Sequence, residues 1–129
     1  MSNKSKGSNA ERELVSLFTE HGWRAVRVAG SGVNDESPCD MIVGKLGNKG
    51  YTIEAKSSRS NYIYIKKSQI EDFFLFSSTI GLTPVIAVRF TYEGWLFLSP
   101  EQLVDSGKNW VVARKKAKLE GKKFGQFFE

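Results

Sequence analysis

The sequence predicts an α/β domain with a single mixed central β-sheet flanked by helices. Three observations lead there. Apolar residues recur at helical spacing in two segments, with Leu14, Val15 and Phe18 marking the first. Short runs rich in Val, Ile, Tyr and Phe lie between and after them, bounded by Gly, Pro, Asn or Ser. The resulting order is a helix, two or three strands, a helix, two strands, a helix and a strand. It combines hairpins with crossovers, as a mixed sheet requires. The 129 residues suffice for one core, so the chain is read as a single domain over 1–129.

Ser8 and Glu11 stand at capping-box spacing, so the first helix is expected to open at Ser8 and stop at His21-Gly22. Residues 1–7 then form a flexible basic arm. "WRAVRVA" is an extended run ending in the turn Gly30-Ser31-Gly32. "CDMIV" and "YTIEAKS" flank the turn-rich "GKLGNKG" and are predicted to pair as a hairpin. "NYIYI" is a further short strand. Ser68 caps a second helix that stops at Gly81 and carries Ile70, Phe73, Phe74, Leu75, Phe76 and Ile80. That apolar girdle is wider than one core face needs and is assigned to both core and dimer contact, complete burial within the monomer being the other reading. "PVIAVRF" and "GWLFLS" form a hairpin around Tyr92-Glu93-Gly94. Ser99-Pro100-Glu101-Gln102 opens a third helix, and "WVVA" is the last strand before a basic segment at 114–129.

Composition excludes several classes. No apolar stretch approaches the roughly 20 residues that cross a bilayer, and "MSNKSKGSNA" lacks the apolar segment of a secretory signal. A lone cysteine, Cys39, rules out an internal disulfide and a cysteine-based zinc site. An intracellular, cytoplasmic protein without a membrane partner is expected. The net charge is +5, and "RKKAKLEGKK" alone carries six basic residues and one acidic. Such a segment suits a polyanion such as nucleic acid, although a solvated helix face accounts for it nearly as well.

The chemistry gathers around "YTIEAKS". Strand alternation sends Tyr51, Ile53 and Ala55 to one face and Thr52, Glu54 and Lys56 to the other. The hairpin sets Asp40 beside them. Two neighbouring carboxylates repel, and a divalent cation relieves that repulsion more fully than one lysine. Glu11 shares the stripe of Leu14, Val15 and Phe18, so it is either a capping-box carboxylate or a third acid reaching the sheet edge. Acidic oxygens without His or Cys partners suit Mg2+, with Mn2+ as its substitute. Such an ion acidifies a water and stabilises a departing oxyanion, while Lys56 stabilises charge on phosphorus. The pattern points to phosphodiester hydrolysis. A D…ExK pattern alone recurs by chance; the 13-residue gap between Asp40 and Glu54 and the upstream helical glutamate add specificity.

"GSNAERELV", "AVRVAGSG", "PCDMIVG", "IEAKSS" and "PVIAVRF" followed by "GW" resemble the archaeal Holliday-junction resolvases, a branch of the PD-(D/E)xK nuclease superfamily. The resemblance runs in matching order to about residue 100 and more weakly beyond, where "EGKKFGQFF" is similar to the family's C-terminal end. It implies a restriction-endonuclease-like sheet. It also implies a magnesium-dependent endonuclease that makes paired symmetric nicks in four-way DNA junctions, as a homodimer, in recombination and repair. By this resemblance Glu11, Asp40 and Glu54 are metal-binding acids, Lys56 is the catalytic lysine, and Ser31 is an active-site serine. Ordinary turn chemistry is the other reading of Ser31. The family places proline immediately before the acid, whereas here Cys39 holds that position and Pro38 lies one step earlier.

Lys4, Lys6, Arg12, Arg27, Arg59, Lys66 and Lys67 are candidate phosphate contacts, each equally readable as a solvated charge. His21, off the Glu11 stripe, is read as structural, and Cys39 as a buried bystander. Two other functions stay open. One is a nuclease of the same superfamily acting on other branched or damaged DNA. The other is a basic DNA-binding module that never cuts, which would gain nothing from acids gathered where DNA should lie.

Overall fold

A computed structural model of the chain describes residues 3–29 and 37–129, with side chains from residue 9 onward. Its elements are α1 (Asn3–Glu20), β1 (Arg24–Arg27), β2 (Met41–Gly44), β3 (Tyr51–Ser58), β4 (Tyr62–Lys66) and α2 (Lys67–Ile80). They continue with β5 (Thr83–Phe90), β6 (Leu96–Leu98), a 3-10 turn at Pro100–Gln102, β7 (Val104–Ser106), β8 (Asn109–Ala113), α3 (Arg114–Glu120) and α4 (Phe124–Phe128). The central sheet has the order β1-β2-β3-β5-β6 and is mixed: β3 and β5 are parallel, and every other neighbouring pair is antiparallel. The predicted α/β architecture, a mixed central sheet with flanking helices, is the one observed.

β3 occupies the middle, and its first four residues are buried on both faces. On one face Ile53 packs with Met41, Val43, Val85, Ala87 and Phe97 against Leu14 and Phe18 of α1. On the other, Ile86, Val88 and Leu98 pack against Ile70 and Phe73 of α2 and Ile63 and Ile65 of β4. The two helices end where the sequence placed their glycines. Gly22 and Gly81 adopt φ of 82° and 75°, a left-handed conformation that a side chain would resist.

Four expectations need correction. Helix α1 opens five residues before Ser8, so most of the expected arm is helical and Ser8 is not its cap. Asn3–Gly7 contains no proline, and a formed helix extends through one glycine more cheaply than a new one nucleates. "NYIYI" and "WVVA" leave the central sheet and form a second, three-stranded sheet of order β4-β8-β7. Ser99-Pro100 opens only a single 3-10 turn, because Leu103 is already extended at φ −72°, ψ 142° and leads into β7. Helix α2 opens at Lys67 after Lys66, without a side-chain cap, so Ser68 lies inside the helix and is not its cap. The girdle of α2 is only partly buried within the chain, with Leu75 67% exposed and Ile80 43%.

The C-terminal segment is basic, but much of it is structural. Arg114 donates to the Thr91 carbonyl at 2.8 Å and lies 3.1 Å from Glu93, which Lys118 also approaches at 3.2 Å. Phe124 and Phe128 then enter the core, each edge-on to Phe18 at 5.0 and 5.1 Å between ring centroids. His21 closes this end, stacked on Phe124 and 3.2 Å from the Glu129 carboxylate, a structural role as expected. Phe128→Ala is therefore expected to cost about 3 kcal/mol or more, whereas Lys115→Ala changes stability by less than about 0.5 kcal/mol. Urea unfolding of the two variants checks this, and equal midpoints would reduce the segment to a surface tail.

Candidate active site

Glu54 owes its position to the strand period. It shares the α2-facing side of β3 with Thr52 and lies in parallel register with Ile86 of β5, so it is carried into apolar surroundings and is 2% exposed. Lys56, two residues on along the same face, brings its amine to 3.6 Å from Glu54 Oε2. A second contact falls on the same oxygen: Gln69 Nε2, from the first turn of α2, donates to it at 2.6 Å.

Asp40 lies one residue before β2. Its N–H donates to the Ile53 carbonyl at 2.9 Å, and its Oδ2 accepts from the Ala55 N–H at 2.7 Å. A carboxylate oxygen thus takes a ladder acceptor's place, and the residue's two bonds bracket Glu54. The shift from Pro to Cys at residue 39 leaves this geometry standing. Cys39 is fully buried, and its thiol pKa is pushed up to about 12 by burial and then by Asp40 and Glu54, which suits a bystander.

Glu11 reaches this end of the sheet from α1. Its Oε1 is buried without a hydrogen bond among the described residues, and Arg27 Nε of β1 stands 3.5 Å away. The capping-box reading of Glu11 falls with the earlier helix start.

The electrostatics join the three acids. Burial raises the pKa of each, most of all Glu54, which moves to about 8. Repulsion comes next: Asp40 raises Glu11, and both Asp40 and Glu11 raise Glu54. Lys56 and Arg27 act in the opposite direction and do not cancel these effects. Among the described residues no three acids are closed on one ion position. The arrangement is nonetheless short of positive charge in a buried place, and its all-oxygen donors suit a hard dication.

The other predicted residues divide. Arg12 and Arg59 are exposed, as is Lys66 at the end of β4. Lys67 is tied into the second sheet, 2.7 Å from Asp105 and over the Trp110 ring at 4.9 Å, so it is read as structural. Arg27 faces Glu11, which gives it a role inside the site in addition to any phosphate contact. Ser31 and the side chains of Lys4 and Lys6 lie outside the described residues. Sequence reasoning missed Gln69. Its signal was faint: Gln69 and Ser77 are polar residues at the ends of the 69–73–77 helical stripe, with Phe73 between them.

A model of the family described as archaeal Holliday junction resolvase (hjc) matches residues 2–128. The crossover junction endodeoxyribonuclease Hjc of Methanocaldococcus jannaschii is 39% identical over 107 residues, which are 83% of this chain and 75% of that protein. The enzyme of the same name from Archaeoglobus fulgidus is 31% identical over 109 residues, 84% of this chain and 79% of the relative. The solved structure of A. fulgidus Hjc, a Holliday junction resolvase, superposes with a TM-score of 0.82 at 25% identity, covering 94% of this chain and 93% of that one. The restriction-endonuclease-like arrangement expected from the sequence is therefore present over nearly the whole chain.

The raised Glu54 pKa fixes the sign of a pH effect. Between about 4.5 and 8 the folded chain binds a proton at Glu54 that the unfolded chain has released, so stability is greatest below this window and is lost as pH rises through it. Without divalent cations the melting temperature at pH 5.5 is expected to exceed that at pH 8.5 by roughly 5–10 °C. Glu54→Gln should flatten the dependence and raise the value at pH 8.5. Calorimetric melts across the range check it; an unchanged slope in the variant would assign the effect elsewhere.

Proposed function

This chain belongs to the archaeal Holliday junction resolvase family, and on that premise we propose that it cuts four-way DNA junctions by metal-dependent phosphodiester hydrolysis. The observation that carries the reading is the pairing of the buried Glu54 carboxylate with the half-buried Asp40, with the Lys56 amine 3.6 Å from Glu54. A protein that only bound DNA would gain nothing by holding acids in apolar surroundings at the cost of mutual repulsion.

The family resemblance suggests the roles, and the geometry around Asp40, Glu54, Glu11 and Lys56 supports them. Asp40 and Glu54, with Glu11 completing the set, hold Mg2+, for which Mn2+ substitutes. When bound, the ion supplies an acidified water and a positive charge for the departing oxygen. Lys56 stays beside the reacting phosphate and donates to its oxygens as their negative charge grows. Ser31 contributes a hydroxyl to the same phosphate. Arg12, Arg59 and Lys66, with Lys4 and Lys6, contact the DNA backbone and leave sequence unread. Recombination and repair are the processes that present such junctions.

Two nicks in opposed strands require two sites related by a two-fold axis, and a homodimer supplies them. The exposed apolar side chains of α2, Leu75 with Ile80 at the helix end, beside the half-buried Phe74 and Phe76, support this helix as the contact.

Asp40→Asn is expected to abolish cleavage of a synthetic four-way junction in magnesium while leaving junction binding largely intact; cleavage that persists would remove Asp40 from the site. A panel of junction, flap and linear duplex separates junction resolution from a broader nuclease, which would cut duplex comparably. Leu75→Glu should yield a monomer by sedimentation and lose the paired nicks, whereas an unchanged dimer would move the contact off α2.

A further inference from the structure

Two polar contacts seat α2 on β3, and both use the strand face that carries the acid. At one end Gln69 Nε2 donates to Glu54 Oε2 at 2.6 Å. Two turns further along the helix, Ser77 Oγ donates to the Phe73 carbonyl at 2.7 Å, which leaves it to accept from Thr52 Oγ1, 2.6 Å away. Thr52 and Ser77 are fully buried, and an unpaired hydroxyl there would be costly. This second contact fixes the rotation of α2, and with it the place from which Gln69 reaches the carboxylate.

The first contact is of a different kind. An amide N–H only donates, so the Gln69 side chain must turn its nitrogen toward the carboxylate oxygen. Lys56 occupies the same Oε2 from along the strand, at 3.6 Å. One donor and one cation converging on the same oxygen orient the carboxylate and leave Oε1 outside both contacts.

We propose that Gln69 is a positioning residue of the active site: it holds the Glu54 carboxylate in the orientation in which Oε1 stays available to the divalent cation. This rests on the metal-dependent reading above and adds to it a specific amide, supplied by a helix that bears none of the acids. Glu54 has two partners of different roles, an ion-pair amine and a hydrogen-bonding amide. Lys56 serves the phosphate, and Gln69 serves the geometry of Glu54.

The test begins without DNA. Manganese is titrated calorimetrically into the full-length wild type, Gln69→Met and Gln69→Asn. Methionine keeps the length and removes the donor, while asparagine keeps the amide and shortens its reach. Both are expected to bind manganese about 10- to 100-fold more weakly than wild type, with junction KM unchanged and kcat reduced at limiting metal. Thr52→Val supplies the contrast: it loosens α2 without removing the donor, so its urea midpoint should fall while manganese affinity falls clearly less than in the Gln69 variants. Should one Gln69 variant fail to fold, the other carries the measurement. Wild-type manganese affinity in the Gln69 variants overturns the proposal. So does an equal loss of affinity in Thr52→Val, which would make the effect one of helix seating. A wild type that binds no manganese overturns the metal reading itself, and that outcome is visible before any substitution is made.

Discussion

Glu54 is a carboxylate on a strand buried from both sides, and the local chemistry follows from that placement. Transferring such a group out of water is expensive unless charge and hydrogen bonds replace its hydration. Here the replacement is partial: one amine at 3.6 Å and one amide at 2.6 Å, with Asp40 adding repulsion. Burial outweighs the nearby cations, which is why the acid's proton affinity rises. A purely structural ion pair would be expected to settle the other way, with its carboxylate pKa lowered. Glu93, held by Arg114 and Lys118 at the chain's surface, shows that outcome in the same molecule.

The fold sustains this deficit by making β3 a boundary. Its early residues are enclosed, with α1 packed over one face and α2 over the other. Exposure returns from Ala55 onward, so Lys56 is partly open to solvent while Glu54 is not. The acid therefore lies at the last fully buried step of the strand, against rigid walls, and the amine lies at the first step a phosphate can approach. The parallel partner β5 contributes Ile86 and Val88 beside them, which keeps the local dielectric low on the acid's side.

What the sequence disclosed and what it withheld divide along the range of the interactions. The alternation in β3, the hairpin that delivers Asp40 and the stripe that aligns Glu11 with the core are set by periods of two and 3.6 residues. All are readable in a short window. The second sheet was not, because the alternation of Tyr62, Ile63, Tyr64 and Ile65 announces a one-sided strand without naming its neighbour. That neighbour, β8, begins more than forty residues later. Lys67 reads as a bare surface charge in a short window, because its partners Asp105 and Trp110 come from the far end of the chain. The segment 114–129 reads as basic, and its phenylalanines carry no structural assignment, because nothing nearby in sequence says that Phe18 and Trp23 await them.

Gln69 is the instructive omission. Glutamine at the start of a helix has an ordinary solvent-facing explanation, and only the tertiary path of α2 over β3 turns it toward a carboxylate. The same path sets the opposite side of the helix. With Ser77 bonded to Thr52 and Gln69 to Glu54, the rotation of α2 leaves Leu75 outward while Gln69 points inward. Turning the helix to bury Leu75 within the chain would withdraw the amide from Glu54 and strand two buried hydroxyls. That exposed side chain is thus retained because the site holds the helix in place. In the proposed dimer, each copy covers for its partner the apolar surface that its own carboxylate prevents it from burying.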